Sequence, residues 1–280
     1  MQEILLKHPI DLAATLNSGQ AFHWSPNTTG FLGLVGTTPA YVEQRDPLNI
    51  AIESSDGDAV ARYLALDHDM AQIVKAFPKR DKPLRAAMDH APGLRILRQP
   101  RWECLATFIT SSLKQVAHIR QISLKLRATF GSSVRFKGLT LHTYPTPKAI
   151  CDAGEKALRN CGLGYRAAFL HRTATSICNG EIDLEAIAGR DDSAARSALC
   201  QLHGVGEKIA DCVLLFGYQR YAAFPVDVWI ERVLRKLYFD DSEKVHARAI
   251  REFARSHFGT YGGYAQQFLF HYARTTGLKD

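Results

Sequence analysis

The period of the hydrophobic positions changes near residue 100. Before it, short runs rich in β-favouring residues fall at 31–35, 40–45 and 48–53. Gly36, Thr37, Thr38 and Pro39 separate the first two, and Asp46 and Pro47 the last two. This spacing predicts antiparallel strands. A helix is expected over 56–66, and PKRDKP at 78–83 reads as a connection. After Pro100 the strand signals fade. Apolar positions at helical spacing predict helices over 102–112, 116–130, 147–159, 166–178, 191–199, 207–216, 228–238, 242–257 and 263–275. Thr146 followed by Pro147 is a cap and then a proline in the first turn. The expected fold is α+β: an N-terminal antiparallel sheet domain, 1–95, and a larger all-helical domain, 96–280, with a helix-hairpin-helix at about 191–217.

Composition narrows the class of protein. The chain has 280 residues, 46% hydrophobic and 22% charged, a globular mixture. The longest nearly apolar run, around 212–218, is far too short for a membrane span. The N-terminus lacks the basic-then-apolar layout of a signal peptide. Cytoplasmic placement is therefore expected, nucleoid-associated in a bacterium, nuclear in a eukaryote. The six cysteines, at 104, 151, 161, 178, 200 and 212, contain no CxxC pair. Nothing in their spacing calls for a metal or an iron–sulfur cluster.

Charge is one-sided. The net charge is +7, yet 114–175 holds 11 Lys/Arg against 2 acids, so the rest of the chain sums to −2. A basic segment of this kind suits a polyanion such as nucleic acid, although a solvated helical face is an equal reading of charge alone.

The segment 202–212, LHGVGEKIADC, lies between two predicted helices. Gly204 and Gly206 permit a tight turn, and Val205 between them exposes backbone. The turn feeds a helix N-terminus, whose unpaired N–H groups can cradle a DNA phosphate. Carbonyls of Cys200, Leu202 and Val205 are a candidate seat for a monovalent cation; no other cofactor is expected. A lysine amine with an ordinary pKa of about 10.4 is neutral in roughly one molecule in a few thousand at pH 7. A nucleophilic lysine therefore needs burial or positive potential nearby. Lys208, close to a helix N-terminus, has the second; on spacing alone, a solvated DNA-contacting lysine fits as well. Asp227, in FPVDVW, precedes an apolar-periodic helix and reads as its N-cap. A rigid carboxylate of this kind can also stabilise a developing sugar cation.

LHGVGEKIADC, with Asp227 following Lys208 by 19 residues, resembles the helix-hairpin-helix DNA glycosylases that carry a lysine nucleophile. Three further segments resemble the 8-oxoguanine DNA glycosylase family: SGQAFHW at 18–24, GLGYRA at 162–167 and GYAQQFLF at 263–270. Order and approximate spacing agree across nearly the whole chain.

The resemblance implies a base-excision enzyme that flips 8-oxoguanine out of duplex DNA and cleaves the resulting site as a lyase. Lys208 would attack C1′ and form a Schiff base, with Asp227 stabilising the sugar cation. The Gly19 carbonyl would accept the N7–H that guanine lacks. Gln266 would bond the base's Watson–Crick edge, with Phe270 and Cys212 on its two faces. Tyr165 would wedge into the stack, with Arg166 near the orphaned cytosine. Leu113 stands where the family often has asparagine and His118 where it has arginine; as DNA-contacting positions they do not imply a preference for cytosine. A monomer is expected by analogy. Two alternatives stay open on the residues themselves: an alkylated-base glycosylase, against which Lys208 argues, and a non-catalytic helix-hairpin-helix DNA-binding protein.

Overall fold

In a computed structural model of the chain, which describes residues 1–111, 115–239 and 245–277, five strands form one antiparallel sheet. Its order is β1 (Gln2–Leu5), β5 (Asn49–Ser54), β4 (Thr38–Asp46), β3 (Gly30–Val35), β2 (Ser25–Asn27). The three strands expected from alternation are β3, β4 and β5, in the middle of the sheet. Phe31 pairs with Val42, and Val42 with Ile52. The edge strands β1 and β2 were not foreseen. Their sequences, QEIL and SPN, are short and largely exposed, with no alternation to read. Gly33 lets Trp24 lie flat on the sheet, since a Cβ there would sit 2.5 Å from the indole. Trp24 is buried and donates from Nε1 to the Tyr63 hydroxyl at 3.2 Å.

Helices follow: α1 (Leu12–Asn17) within the sheet module, then α2 (Gly57–Tyr63), α3 (Met70–Lys75) and α4 (Lys82–His90). Asp56, Asp69 and Asp81 cap the last three, each accepting a first-turn N–H. The remainder comprises α5 (Arg101–Ser111), α6 (Val116–Phe130), α7 (Pro147–Leu158), α8 (Arg166–Cys178), α9 (Asp192–Cys200), α10 (Glu207–Gly217), α11 (Val228–Tyr238), α12 (Ala247–Phe258) and α13 (Gly262–Thr276). The expected start of α12 at 242 lies outside the described residues. Among the described residues this part is helical apart from one hairpin, β6 (Ser133–Phe136) with β7 (Leu139–His142). Its turn, Lys137-Gly138, has positive φ at both residues, the geometry of a tight hairpin.

Two apolar cores result. The smaller lies under the sheet around Trp24, Val42, Ile52, Val60 and Leu64. The larger surrounds α5 and α10, and Met70, Ile73, Leu84 and Ala87 of α3 and α4 belong to it. Buried polar ties join the two. The Gln20 amide donates to Arg95 O at 2.6 Å and accepts from Leu97 N at 2.8 Å. Arg127 of α6 pairs with Glu103 of α5, and His23 lies 3.4 Å from the same carboxylate. His23 donates to Leu34 O at 2.7 Å. Burial first, and Arg127 second, hold its imidazole far below the usual histidine range.

His68 ties the sheet module to α13, with Tyr264 Oη 2.5 Å from Nδ1 and Tyr221 Oη 2.9 Å from Nε2. Burial, helped by Arg98, lowers its pKa from 6.5 to about 4. The unfolded chain therefore takes up this proton first as the pH falls. The stability contributed by neutral His68 is complete above pH 6.5 and is lost progressively towards pH 4. The melting temperature is expected to drop between pH 7 and pH 5, less steeply in His68→Gln. An identical pH slope in the variant would refute this.

Candidate active site

The hairpin between α9 and α10 is built on Gly204. Its φ is +78°, and a Cβ would lie 2.7 Å from the Phe169 ring. Val205 is buried and donates to Leu202 O at 3.1 Å, closing the turn. Gly206 has open space where a Cβ would be and starts α10 without a side-chain cap. The first-turn N–H groups of α10 are thereby left for an outside acceptor.

Lys208 is half-buried in that turn, with Nζ 5.4 Å from the centroid of Phe108 on α5. One turn on, Cys212 is buried, and the Lys208 side chain hydrogen-bonds its thiol. Burial pushes this thiol up to about 12, against the pull of Lys208 and with a further push from Asp227. Cys212 is therefore a neutral, largely apolar side chain at pH 7, and both Lys208 and Asp227 are felt at its sulfur. Asp227 caps α11, Oδ1 accepting Ile230 N–H at 2.8 Å, and is half-buried.

A second group of residues comes from α13 and the loop after α1. Gly19 has φ +84°, and a Cβ there would lie 3.1 Å from Phe270 Cε1. The loop is pinned on both sides, with Gln267 Nε2 donating to Ser18 O at 2.8 Å and Arg274 donating to Asn17 O. Gln266 and Phe270 lie one turn apart, on the same face of α13. Gln266 is buried, and its Oε1 has no hydrogen-bond partner among the described residues. An orphaned buried amide oxygen is costly and marks a place where an external donor fits. Gly263 allows α13 to meet α10, since a Cβ would lie 2.2 Å from Leu215 Cδ1.

Phe108 joins the two groups and was not legible in the sequence. Its ring touches Phe22 edge-on at 6.3 Å and stacks on Phe216 at 5.5 Å, with Lys208 Nζ beside it. At helical spacing in an apolar stretch, it looks like any core phenylalanine.

Tyr165 is 50% exposed on the loop before α8, where Gly162 and Gly164 have positive φ. Arg166 stacks on it at 4.3 Å and is itself buried. Phe169 touches the Tyr165 ring edge-on at 5.7 Å and also lies under Gly204. Thr173 Oγ1 donates to His203 O at 3.2 Å. The hairpin and the Tyr165 loop are thus braced by one helix, α8. His118 is exposed on α6, whereas Leu113 lies outside the described residues. No group of three or more His, Cys, Asp or Glu side chains among the described residues is arranged to hold a metal, and no described helix is long and apolar enough to cross a membrane.

This architecture of a small sheet module beside a helix-hairpin-helix core defines a DNA glycosylase fold. The 8-oxoguanine DNA glycosylase N-terminal domain matches residues 4–105, and the HhH-GPD superfamily base excision DNA repair protein matches residues 106–256. The chain belongs to the 8-oxoguanine DNA glycosylase family of that superfamily. A probable N-glycosylase/DNA lyase of Methanothermobacter thermautotrophicus is 34% identical over 220 residues, covering 71% of this chain and 70% of that protein. The N-glycosylase/DNA lyase OGG1 of Arabidopsis thaliana is 28% identical over 93% of this chain and 76% of its own. The 8-oxoguanine glycosylase/lyase of Clostridium acetobutylicum, solved with double-stranded DNA containing cytosine opposite the lesion, superimposes with a TM-score of 0.90. It is 30% identical, and 99% of each chain is covered.

Proposed function

We propose that Lys208 is the nucleophile with which this protein removes 8-oxoguanine from duplex DNA. The enzyme is a bifunctional DNA N-glycosylase and apurinic/apyrimidinic lyase of base-excision repair. The observation that carries the assignment is that Lys208, whose Nζ lies beside Phe108, and Asp227 both act electrostatically on the buried Cys212 thiol. Lys208 Nζ attacks C1′ of the extruded nucleotide, the base leaves, and the resulting Schiff base permits β-elimination. Asp227, rigid as the cap of α11, stabilises positive charge on the sugar. The orphaned Gln266 Oε1 supports a role for that amide on the base edge, with Phe270 and Cys212 against the ring. The Gly19 carbonyl accepts N7–H; guanine would present a lone pair there instead.

Double-stranded DNA bearing 8-oxoguanine is the partner in this reading. Gly204, Val205 and Gly206 meet a phosphate, Tyr165 wedges the duplex, and Arg166 and His118 lie towards the opposite strand. The protein acts as a monomer, with the sheet part, 1–95, supporting the helical part, 96–280. Carbonyls of Cys200, Leu202 and Val205 would seat a monovalent cation. The cellular site is where the DNA is: the bacterial nucleoid, or the nucleus in a eukaryote.

Release of 8-oxoguanine, guanine and alkylated adenine from matched duplexes tests the substrate. Only the first is expected to leave at an appreciable rate, and equal rates would remove the role given to Gly19. Asp227→Asn keeps a side chain able to cap α11. It should slow single-turnover base release by about 10²–10³-fold, the cost of losing one preorganised charge. DNA affinity should change far less, and an unaltered single-turnover rate would disprove the assignment.

A further inference from the structure

Away from the site, Cys151 of α7 and Cys178 at the end of α8 bring their sulfurs within 3.4 Å. Three residues of α8 line up along Cys151. His171 Nε2 donates to the Cys151 carbonyl at 3.3 Å, the Thr175 hydroxyl lies 3.7 Å from the Cys151 sulfur, and Cys178 follows. Cys178 is exposed and Cys151 half-buried, so an oxidant in solution reaches the pair. The other four cysteines differ. Cys104, Cys161 and Cys212 are buried, and Cys200 is half-buried. Burial and the Cys151 thiol raise the Cys178 thiol above the usual cysteine range, and Lys148, on the first turn of α7 and paired with Asp152, opposes them.

We propose that Cys151 and Cys178 are a thiol pair that hydrogen peroxide oxidises to a reversible disulfide. The Cys178 sulfur attacks a peroxide oxygen, the O–O bond breaks, and one water leaves with a sulfenic acid in place. The Cys151 thiol then displaces the sulfenic oxygen, forming the S–S bond and releasing the second water. Two thiols lose two electrons and two protons, and one peroxide becomes two waters. A bonded pair needs its sulfurs at about 2.05 Å, so the two side chains close by little more than an ångström. A dithiol reductant reverses the bond by exchange.

The bond has a structural consequence. It closes a loop of 27 residues in sequence separation around the π-helical turn Arg159–Leu163 and the loop that presents Tyr165. Gly154, at φ +70°, kinks α7 inside that loop, and Gly162 and Gly164 add further freedom. Tying the open end of the α7–α8 pair restrains this segment and leaves Lys208 untouched.

Purified protein treated with hydrogen peroxide tests this, with peptide mapping under non-reducing conditions, thiol titration and a melting curve. The expected result is a cross-linked Cys151–Cys178 peptide and the loss of two titratable thiols. The melting temperature should rise by several degrees, since the closed loop restrains the unfolded chain. Dithiothreitol should reverse all three changes. Cys178→Ser should abolish the cross-link and the shift while retaining activity on lesion DNA before oxidation. The proposal is overturned if Cys178 advances to sulfinic acid with Cys151 still free. A cross-link through another cysteine, or between two chains, overturns it as well.

Discussion

Lys208→Gln is expected to bind 8-oxoguanine DNA and yet yield no covalent adduct on borohydride reduction. Glutamine preserves length and polarity next to Phe108 and Cys212 but has no amine to add to C1′. The wild-type protein, reduced during turnover, should be trapped through a secondary amine at this position. Base release by the variant should fall by about 10⁴-fold or more, since a covalent route is removed outright. The fold should be unaffected, because Lys208 is only half-buried and is not itself a helix cap. Binding and trapping are therefore to be measured on the same preparation. A wild-type protein that binds the lesion duplex without forming an adduct, or a variant that still traps, would refute the Lys208 assignment.

Removal of Arg127 should have the largest effect on stability. Arg127 is buried, pairs with Glu103 and donates to His142 O at 3.3 Å, its guanidinium 5.3 Å from the Tyr144 ring centroid. Burial raises the pKa of the Glu103 carboxyl, and Arg127 pulls it back. In Arg127→Ala the carboxylate is left buried with only a neutral imidazole beside it, and a cavity opens between α5 and α6. The expected cost is about 3–5 kcal/mol, read from urea unfolding. Replacing both partners with apolar residues, Arg127→Met with Glu103→Leu, should recover most of that loss, because no orphaned charge remains. A single variant that costs under about 1 kcal/mol would show that water already reaches the pair.

Much of this chain was readable from local pattern, for physical reasons. The central strands β3, β4 and β5 alternate because each has one face in the core. The long helices repeat every three to four residues because each buries a stripe. The caps Thr146 and Asp227 compensate unpaired N–H groups within three residues, so their signal is local too. The edge strands and the β6–β7 hairpin escaped because they bury little and so carry no periodic imprint. The helices α1 and α3 escaped because six residues make fewer than two turns, and α4 because its first residues, 82 and 83, fall in the expected connection at 78–83.

The site divides along the same line. The motifs around Gly19, Tyr165, Lys208, Asp227 and Gln266 were evident in the sequence, because each depends on residue type at close spacing and on the family resemblance. Phe108, Phe169 and Arg127 were not. They act through contacts with Phe22, Gly204 and Glu103, which are 86, 35 and 24 positions away and leave no local trace. The sequence by itself determined which groups are available: an amine behind a glycine hairpin, a capping carboxylate and a surplus of positive charge between 114 and 175. Only the tertiary structure decided that Lys208 and Asp227 act on one sulfur, that Gly19 abuts Phe270, and that Gln266 keeps an oxygen unpaired. Those are facts about distances across the chain, set by how α5, α10 and α13 pack.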